Sequence, residues 1–259
     1  MRVNKESLIK SLDKVNEEIE LSGSIKVVEG DTTIFESSYG YANRSEKIPN
    51  RVNTRFGIAS GCKGFTAVAI CQLVDKGLIK FNTTLKECLD VEFPYFDSNI
   101  TVEHLLTHTS GIPDYFDEEV MDDFEELWEE IPMYKIKESK DFLHLFQNNE
   151  MKFSLGNRFS YNNAGFILLG LIVEKISGVK FTEYIEKNVF EPCNMSDSGY
   201  FSMDNLPERT ALGYVFDEVR GSYKTNIYSL PIVGGADGGA FTTAEDMIKF
   251  WVTKLLRQI

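Results

Sequence analysis

The feature that most constrains the fold is a pair of short β-rich runs near the start of the chain, residues 24–28 and 32–37. Between them stands Glu29-Gly30-Asp31, and a short connection that contains glycine predicts an antiparallel hairpin. Two strands alone are only marginally stable in water, so the hairpin is expected to belong to a larger sheet. The remaining sequence offers few other strands. We therefore expect a small amount of sheet combined with many helices.

Helical patterns account for much of the rest of the chain. Apolar residues recur at helical spacing through residues 5–20, with charges between them, which predicts an amphipathic helix. A long apolar helix is expected from about residue 62 to residue 75. A glycine-rich bend at 234–239 leads into a last helix, opened by Thr242 with Glu245 at capping-box spacing. Further helices are expected at residues 101–107, 138–148, 164–176 and 180–188.

An acidic segment from Asp114 to Glu130 interleaves carboxylates with aromatic residues. These aromatic residues are Tyr115, Phe116, Phe124 and Trp128. The simpler interpretation is a solvated amphipathic helix, because apolar residues among charges suit a helix at the surface. The other interpretation is a mobile flap over a pocket. The sequence leaves both open.

Charge and composition exclude several classes of function. The 259 residues carry a net charge of -13, which argues against nucleic acid and anionic lipid as partners. No stretch approaches ~18 uninterrupted apolar residues, so no membrane segment is expected. Residues 1–20 lack the apolar core of a signal peptide, which favours a cytoplasmic location. Four widely spaced cysteines and only three histidines predict free thiols, mostly buried, and no metal site.

The spacing Ser-x-x-Lys is the first candidate for catalysis. At a helix start it places both side chains on one face, where the helix N-terminus stabilises negative charge and the lysine assists removal of the hydroxyl proton. The motif alone is weak, because the chain contains it four times: Ser7/Lys10, Ser11/Lys14, Ser60/Lys63 and Ser177/Lys180. Only Ser60 follows an extended segment, residues 55–59, and precedes a long apolar helix. Ser60 and Lys63 are therefore the candidate nucleophile and its partner.

The spacing Tyr-x-Asn is the second candidate. Tyr161 and Asn163 lie in a polar bend before an apolar helix. A tyrosine beside a lysine ammonium can act as a general base, and an amide can orient a substrate carbonyl. The same spacing occurs at Tyr41 and Asn43, but Tyr41 directly follows the hairpin and is more simply a packing residue.

Four longer segments occur in a fixed order along the chain. They are TRFGIASGCKGFTAVAICQLVDKG, LTHTSGIPDYF, LGNRFSYNNAGFILLGLIVEKISG and GGADGGAFTTAEDMIKFW. From about residue 23 to its end, the chain resembles the superfamily of serine β-lactamases, penicillin-binding D-alanyl-D-alanine carboxypeptidases and esterases, on the class C side. This resemblance implies an α/β (α+β) fold, in which an antiparallel sheet is flanked by helices and carries an inserted helical region.

The resemblance also implies roles for the candidate residues. Ser60 is then the acylated nucleophile, Lys63 its partner and Tyr161 the proton shuttle, while Asn163 helps to hold the substrate. The backbone N–H of Ser60 would form half of an oxyanion hole. The implied partner is a small-molecule or peptide acyl substrate, namely a D-alanyl peptide, a β-lactam or a small ester. No cofactor and no metal are implied.

Other residues of these segments have plainer interpretations. His108 is expected to be a structural hydrogen-bonding residue, because the sequence offers it no metal partners. Gly238 and Gly239 are expected to serve backbone geometry. Asn162 stands where the family commonly has serine.

The family's third element, a strand with Lys-Thr-Gly or His-x-Gly, has no counterpart here. Lys224-Thr225-Asn226 lacks the glycine and comes too early in the chain. We therefore expect that the natural protein is longer at its C-terminus, or that a separate segment completes the sheet and the site.

Residues 1–259 are interpreted as one such domain. Its α/β part is expected to comprise residues 1–84 and 236–259, and its helical part residues 85–235. Because the third element is missing, the alternative function is a non-catalytic binding or scaffolding protein that keeps the fold. A metal-dependent hydrolase is a weaker alternative. Related enzymes often act outside the cytoplasm, so the location stays open.

Overall fold

The computed structural model describes residues 5–121, 123–129 and 131–256. Residues 1–4 and 257–259 of the predicted domain lie outside these ranges, as do Asp122 and Glu130 of the acidic segment. The α-helices of the described part are α1 (Lys5–Glu18), α2 (Lys63–Asp75), α3 (Leu85–Cys88), α4 (Val102–Leu106), α5 (Asn163–Ser177), α6 (Phe181–Ile185) and α7 (Ala244–Leu256). Its strands are β1 (Gly23–Glu29), β2 (Thr32–Tyr39), β3 (Tyr41–Asn43), β4 (Ile48–Pro49), β5 (Phe56–Gly57), β6 (Tyr214–Asp217), β7 (Ser222–Thr225) and β8 (Phe241–Thr242). Within these ranges, no helix has both the length and the apolar character needed to cross a membrane.

The predicted hairpin is confirmed. Strands β1 and β2 pair antiparallel, and Gly30 provides the turn with a left-handed φ of 58°. Three further two-stranded antiparallel sheets occur in the described residues and pair β3 with β4, β5 with β8 and β6 with β7. Strand β5 lies in the segment that was expected to be extended, residues 55–59. The other five strands were missed, because each is only two to four residues long, too short to show an alternating pattern. The pair β6–β7 lies inside the region that was expected to be helical.

Helix α5 is the centre of the core. It packs against α2, α4 and α6, and its residues 167–169 are fully buried. Asn162 begins the helix by accepting a hydrogen bond of 2.7 Å from the N–H of Gly165, and Gly178 ends it with a left-handed φ of 75°. A helix that is apolar on nearly every face is stable only when it is buried. Its first residue, Asn163, is therefore held at a fixed place inside the protein.

Helix α2 is anchored by an aromatic cluster. The ring of Phe65 meets the rings of Phe190 and Phe250 edge to face, with centroids 5.0 and 4.9 Å apart. Such pairs add about 0.5–1.5 kcal/mol each beyond the burial of their area. The segment that begins with the candidate nucleophile is thus fixed to the rest of the core.

Two of the expected helices are wound differently from an α-helix. Residues 138–148 contain a 3-10 helix, Ser139–Leu145, at whose start the Asp141 carboxylate accepts hydrogen bonds from the backbone N–H groups of Lys137 and Glu138. Residues 180–188 begin as α6 and continue as a π-helical turn, Glu186–Phe190. The predicted helices exist, but periodicity did not predict their winding.

The residue that caps α7 also differs from the prediction. The hydroxyl of Thr243 accepts a hydrogen bond of 3.1 Å from the N–H of Asp246, whereas Thr242 lies in β8. Glu245, the expected partner in the capping box, instead forms an ion pair of 2.5 Å with Lys26 of β1. The cap is therefore one residue later, and Glu245 joins α7 to the hairpin.

The helical interpretation of the acidic segment is wrong. Its regular part is a 3-10 turn, Phe124–Trp128. The carboxylate of Asp117 accepts a hydrogen bond from the N–H of Glu119, and that of Asp123 accepts one from the N–H of Glu125. Such local bonds offer the backbone an alternative to the α-helix.

The cysteines are as predicted. None of the four, all of which lie in the described ranges, forms a disulfide, and Cys62, Cys88 and Cys193 are buried. Burial raises the pKa of the Cys62 thiol to about 12. A thiol of this kind packs as a small apolar group and is unreactive.

Candidate active site

Ser60 lies where a short strand meets a helix. Strand β5 pairs with β8, and the N–H of Ile58 donates a hydrogen bond of 2.9 Å to the carbonyl of Ala240. A 3-10 turn, Ala59–Cys62, then leads into α2. Ala59 has a left-handed φ of 44°, a strained conformation that persists only where the surroundings hold it. The strained turn presents the exposed Ser60 side chain to a cavity.

Lys63 is buried directly behind Ser60. Its ammonium group donates three hydrogen bonds, to Ser60 Oγ at 3.0 Å, to Asn163 Oδ1 at 2.8 Å and to the carbonyl oxygen of Asp237 at 2.6 Å. An ammonium group has three donors, so all of them are used. Each of the three acceptors is a neutral oxygen. The buried cation is thus hydrogen-bonded throughout and points at the serine hydroxyl.

Asn163 is more closely tied to Lys63 than the sequence suggested. While its Oδ1 accepts from the lysine, its Nδ2 donates to the Asp114 carboxylate at 3.2 Å and to the carbonyl of Phe116 at 3.3 Å. The side chain is buried and borders the cavity. In this structure the amide fixes the lysine. Its expected contact with a substrate stays a prediction.

Tyr161 lies beside Lys63 without bonding to it through its hydroxyl. The lysine Nζ is 4.9 Å from the centroid of the tyrosine ring, and the His108 ring also packs against Tyr161, with ring centroids 4.7 Å apart. No hydrogen bond joins the tyrosine hydroxyl to Ser60 or Lys63 among the residues described. All four predicted site residues nevertheless come together, because Lys63 contacts each of the other three.

His108 makes the structural hydrogen bond that was expected of it. Its Nδ1 accepts from the backbone N–H of Asn162 at 3.0 Å. Burial lowers the pKa of the imidazole, and the charge of Lys63 lowers it further. A lower pKa favours the neutral imidazole, the form that can accept the hydrogen bond at Nδ1 at the start of α5.

Asp114 holds the N-terminus of α5. Its carboxylate accepts hydrogen bonds from the backbone N–H groups of Asn163, at 2.7 Å, and Ala164, at 2.9 Å. A negative charge is favoured at this end of a helix. Burial nevertheless raises the pKa of the carboxyl group to about 6, against the effect of these bonds. Asp114 thus bonds to both the backbone and the side chain of Asn163.

The glycine-rich loop, residues 234–239, contacts the nucleophile segment through its backbone. Three successive carbonyl oxygens accept hydrogen bonds from side chains of residues 62–66. The pairs are Gly235 with Cys62 at 3.6 Å, Ala236 with Thr66 at 2.6 Å and Asp237 with Lys63 at 2.6 Å. A Cβ atom at Gly234 would lie 2.5 Å from the backbone of Gly239, which itself has a φ of 89°. Only Gly239 of the two predicted glycines thus has a left-handed φ.

A phenol and a carboxyl group form a buried pair next to this loop. The hydroxyl of Tyr115 donates a hydrogen bond to Asp237 Oδ2, and both side chains are more than 90% buried. Burial raises the pKa of Asp237 above its ordinary value, although the charge of Lys63 opposes the shift. Burial and the charge of Asp237 raise the pKa of Tyr115 well above its ordinary value.

Sequence reasoning assigned no role to Asp114, Tyr115 or Asp237, although all three lie in the segments that carry the resemblance. One signal was present. Asp237 is the only charged residue between Lys224 and Glu245, in a stretch rich in glycine and apolar residues. A lone acid in such surroundings indicates burial and a specific partner.

The cavity in front of Ser60 has a volume of about 400 Å³, and six aromatic side chains contribute to its lining. They are Tyr115, Phe116, Phe124, Phe142, Phe201 and Phe241. Three of these come from the acidic segment, which forms one wall of the cavity. The interpretation of the segment as a flap was therefore right in placing it beside a pocket.

Comparison with known proteins agrees with this arrangement. The Beta-lactamase family profile matches residues 13–259. Penicillin-binding protein 4* of Bacillus subtilis (strain 168) is 31% identical over 265 residues, which cover 96% of this chain and 56% of that protein. The chain thus spans about half the length of this curated relative.

Two solved structures superpose closely on the chain. The penicillin-binding protein from Bacillus halodurans has a TM-score of 0.87 and 58% identity, over 93% of this chain and 73% of the other. The octameric penicillin-binding protein homologue from Pyrococcus abyssi has a TM-score of 0.84 and 27% identity, over 99% and 57% of the two chains. These superpositions confirm the α/β fold expected from the sequence.

Proposed function

This chain belongs to the Beta-lactamase family, whose members are serine hydrolases, and on that premise we propose that it is an acyl-hydrolase acting through a covalent ester on Ser60. The observation that carries the proposal is the hydrogen bond of 3.0 Å that the ammonium group of the buried Lys63 donates to the hydroxyl group of Ser60, an exposed residue. The hydroxyl lies at a cavity, where an acyl group can reach it. A serine is a weak nucleophile unless a neighbouring group activates it, and Lys63 is placed to do so.

In the proposed reaction, Ser60 Oγ attacks the carbonyl carbon of the substrate and forms the ester bond. Lys63 lowers the cost of removing the hydroxyl proton, and Tyr161 passes that proton to the leaving group. The leaving group departs as the bond to the carbonyl carbon breaks. Water then attacks the ester, returns a proton to Ser60 Oγ and releases the acid.

The backbone contributes to the same step. The N–H of Ser60 lies in the first turn of a 3-10 helix, where N–H groups have no partner within the helix. We propose that it stabilises the negative charge on the carbonyl oxygen in the transition state, as one of two donors. Loss of one such donor typically lowers the rate by about 10²–10³-fold.

The proposed substrate is a D-alanyl peptide, a β-lactam or a small ester. The aromatic lining of the cavity supports an apolar group next to the scissile carbonyl. A penicillin is the first β-lactam to test, since the relative at 31% identity is named a penicillin-binding protein.

The test is the intact mass of the protein after incubation with a fluorophosphonate and, separately, with a penicillin, followed by peptide mapping. We expect one adduct, on Ser60, with the fluorophosphonate. A penicillin adduct at the same residue would support the peptidase and β-lactamase substrates over a simple ester.

Two variants control this test. Ser60→Ala should lose the adduct, whereas Ser177→Ala, which removes the serine of another Ser-x-x-Lys pair, should keep it. If wild-type protein that is folded by circular dichroism acquires no adduct, the proposal is wrong and a non-catalytic role is favoured.

A further inference from the structure

We propose that Asp114 and Tyr115, two adjacent residues of the acidic segment, are positioning residues for Lys63. Each holds one of the two acceptors that fix the lysine besides Ser60. This inference rests on the proposed function, because the position of Lys63 matters only if Ser60 is acylated. Neither residue bonds to Ser60 in the described structure, so each acts through the acceptor that it holds and not on the nucleophile itself.

The first connection runs through Asn163. Asp114 accepts hydrogen bonds from the backbone N–H of Asn163 at 2.7 Å and from its Nδ2 at 3.2 Å. With Nδ2 bound there, the amide must turn Oδ1 the other way, toward Lys63 at 2.8 Å. An amide can rotate to exchange its oxygen and nitrogen, and a nitrogen facing the ammonium would repel it. Asp114 therefore selects the orientation in which Asn163 is an acceptor.

The second connection runs through Asp237. Its side chain accepts the hydrogen bond from the Tyr115 hydroxyl, and its backbone carbonyl accepts from Lys63 at 2.6 Å. Because one residue carries both acceptors, fixing the carboxylate also fixes the plane of the peptide. Asp237 is buried, so the loss of the Tyr115 hydroxyl would remove the side-chain donor of a buried carboxyl group and leave it only backbone N–H partners. We expect the loop to shift in response.

The chemistry of lysine explains why such support is needed. The side chain is a flexible stem whose ammonium is a point charge with no preferred direction. The direction in which it points relative to Ser60 Oγ therefore depends on the hydrogen-bond acceptors around it. A displacement of about 1 Å at a reacting group can lower a rate by about 10²-fold.

The main test is Tyr115→Phe, which removes one oxygen and keeps the ring that lines the cavity. The matched control is Tyr184→Phe. Tyr184 is equally buried, and its hydroxyl has no hydrogen-bond partner in the described structure. We expect acylation of Ser60 by a fluorophosphonate to be about 10–100-fold slower in Tyr115→Phe and unchanged in Tyr184→Phe.

A second comparison separates positioning from general structural damage. In a Lys63→Ala background, Tyr115→Phe should cause no further loss of acylation rate, because the residue that it positions is absent. Intact mass followed over days extends the measurement to this slow background. A structural role would lower the rate by the same factor in both backgrounds, and that result would overturn the proposal.

Asp114→Asn tests the other connection and serves if Tyr115→Phe does not fold. It should slow acylation in the Lys63 protein and not in the Lys63→Ala protein. Unchanged acylation in folded Tyr115→Phe and Asp114→Asn would also overturn the inference. A wild-type protein that is not labelled at Ser60 would instead overturn the proposed function, and with it the inference.

Discussion

Two regions of the molecule are built in contrasting ways. Helix α5 contains ten buried residues, and the polar groups at its start are bonded to one another out of water. On the hairpin side, the described residues of α1 and β1 include none that is buried, and β2 has one, Phe35. The contrast indicates that the geometry around Lys63 depends on the helical core and the glycine-rich loop. The hairpin side should tolerate change without moving the site.

The largest expected effect is the loss of the cation at the centre of the buried region. Lys63→Met keeps an unbranched side chain but removes the ammonium from Ser60 Oγ, Asn163 Oδ1 and the Asp237 carbonyl. We expect acylation by a fluorophosphonate to fall by about 10³-fold or more, as when an activating partner is removed from a catalytic serine. The matched control is Lys76→Met at the exposed end of α2, which should acylate at the wild-type rate. Equal rates for the two variants would contradict the role of Lys63.

The next prediction compares the stability of the two regions by making the same change, isoleucine to alanine, in each. Ile167→Ala removes three carbon atoms from a fully buried site in α5, and Ile25→Ala does the same at a half-buried site in β1. We expect a loss of about 2–5 kcal/mol in the free energy of unfolding for Ile167→Ala and a clearly smaller loss for Ile25→Ala. Urea denaturation measures both. Similar losses would mean that the hairpin side is as tightly packed as the core.

A smaller effect is the pH dependence that Asp114 adds to stability. Its pKa is about 6 in the folded protein, above the ordinary 3.8. Between these values the folded state holds a proton that the unfolded state has lost, so this group's contribution to stability decreases as pH rises from about 4 to about 6. The full change is on the order of 3 kcal/mol.

Urea denaturation of the wild type and of Asp114→Asn at several pH values tests this effect. The difference between the two proteins isolates Asp114 from the other carboxyl groups. Between about pH 4 and pH 6, we expect the free energy of unfolding to fall less steeply with rising pH in the variant than in the wild type. If the free energy of unfolding depends on pH equally in both proteins, Asp114 titrates in its ordinary range.

The smallest effect belongs to the hairpin side. Lys26 forms ion pairs with Glu36 at 2.9 Å and with Glu245 at 2.5 Å, the second of which joins β1 to α7. Glu245 is half exposed, and exposed pairs contribute about 0–1 kcal/mol. Glu245→Gln should therefore lower the free energy of unfolding by less than about 1 kcal/mol and leave acylation of Ser60 unchanged. Slower acylation would show that a change on the hairpin side does affect the active site.

The sequence predicted the parts of the site that depend on local spacing. Ser60 and Lys63 lie three residues apart at a helix start, and Tyr161 and Asn163 flank the start of another helix, so each pair could be recognised from its own neighbourhood. The contacts Asp114–Asn163 and Tyr115–Asp237 join residues 49 and 122 positions apart. No local pattern encodes them, because they form only when the acidic segment packs against α5 and the glycine-rich loop.

The error in the acidic segment has a related cause. Apolar residues interleaved with charges are typical of a helix at the surface, yet Tyr115 and Phe116 line the cavity. The preceding residue, Asp114, is bound to the start of α5, which prevents a helix from continuing through this point. Tertiary contacts therefore override the local pattern where the segment borders the site.

The three carbonyl oxygens of the glycine-rich loop belong to the main chain, so no amino-acid substitution removes them. Substitutions at residues 235–237 would alter side chains and leave every carbonyl acceptor in place, so they would underestimate the contribution of the loop. Replacing the peptide bond after Asp237 by an ester, through protein semisynthesis, would weaken the oxygen that faces Lys63 while keeping every side chain. The contribution of the loop to the site is thus best measured by changing its main chain rather than its side chains.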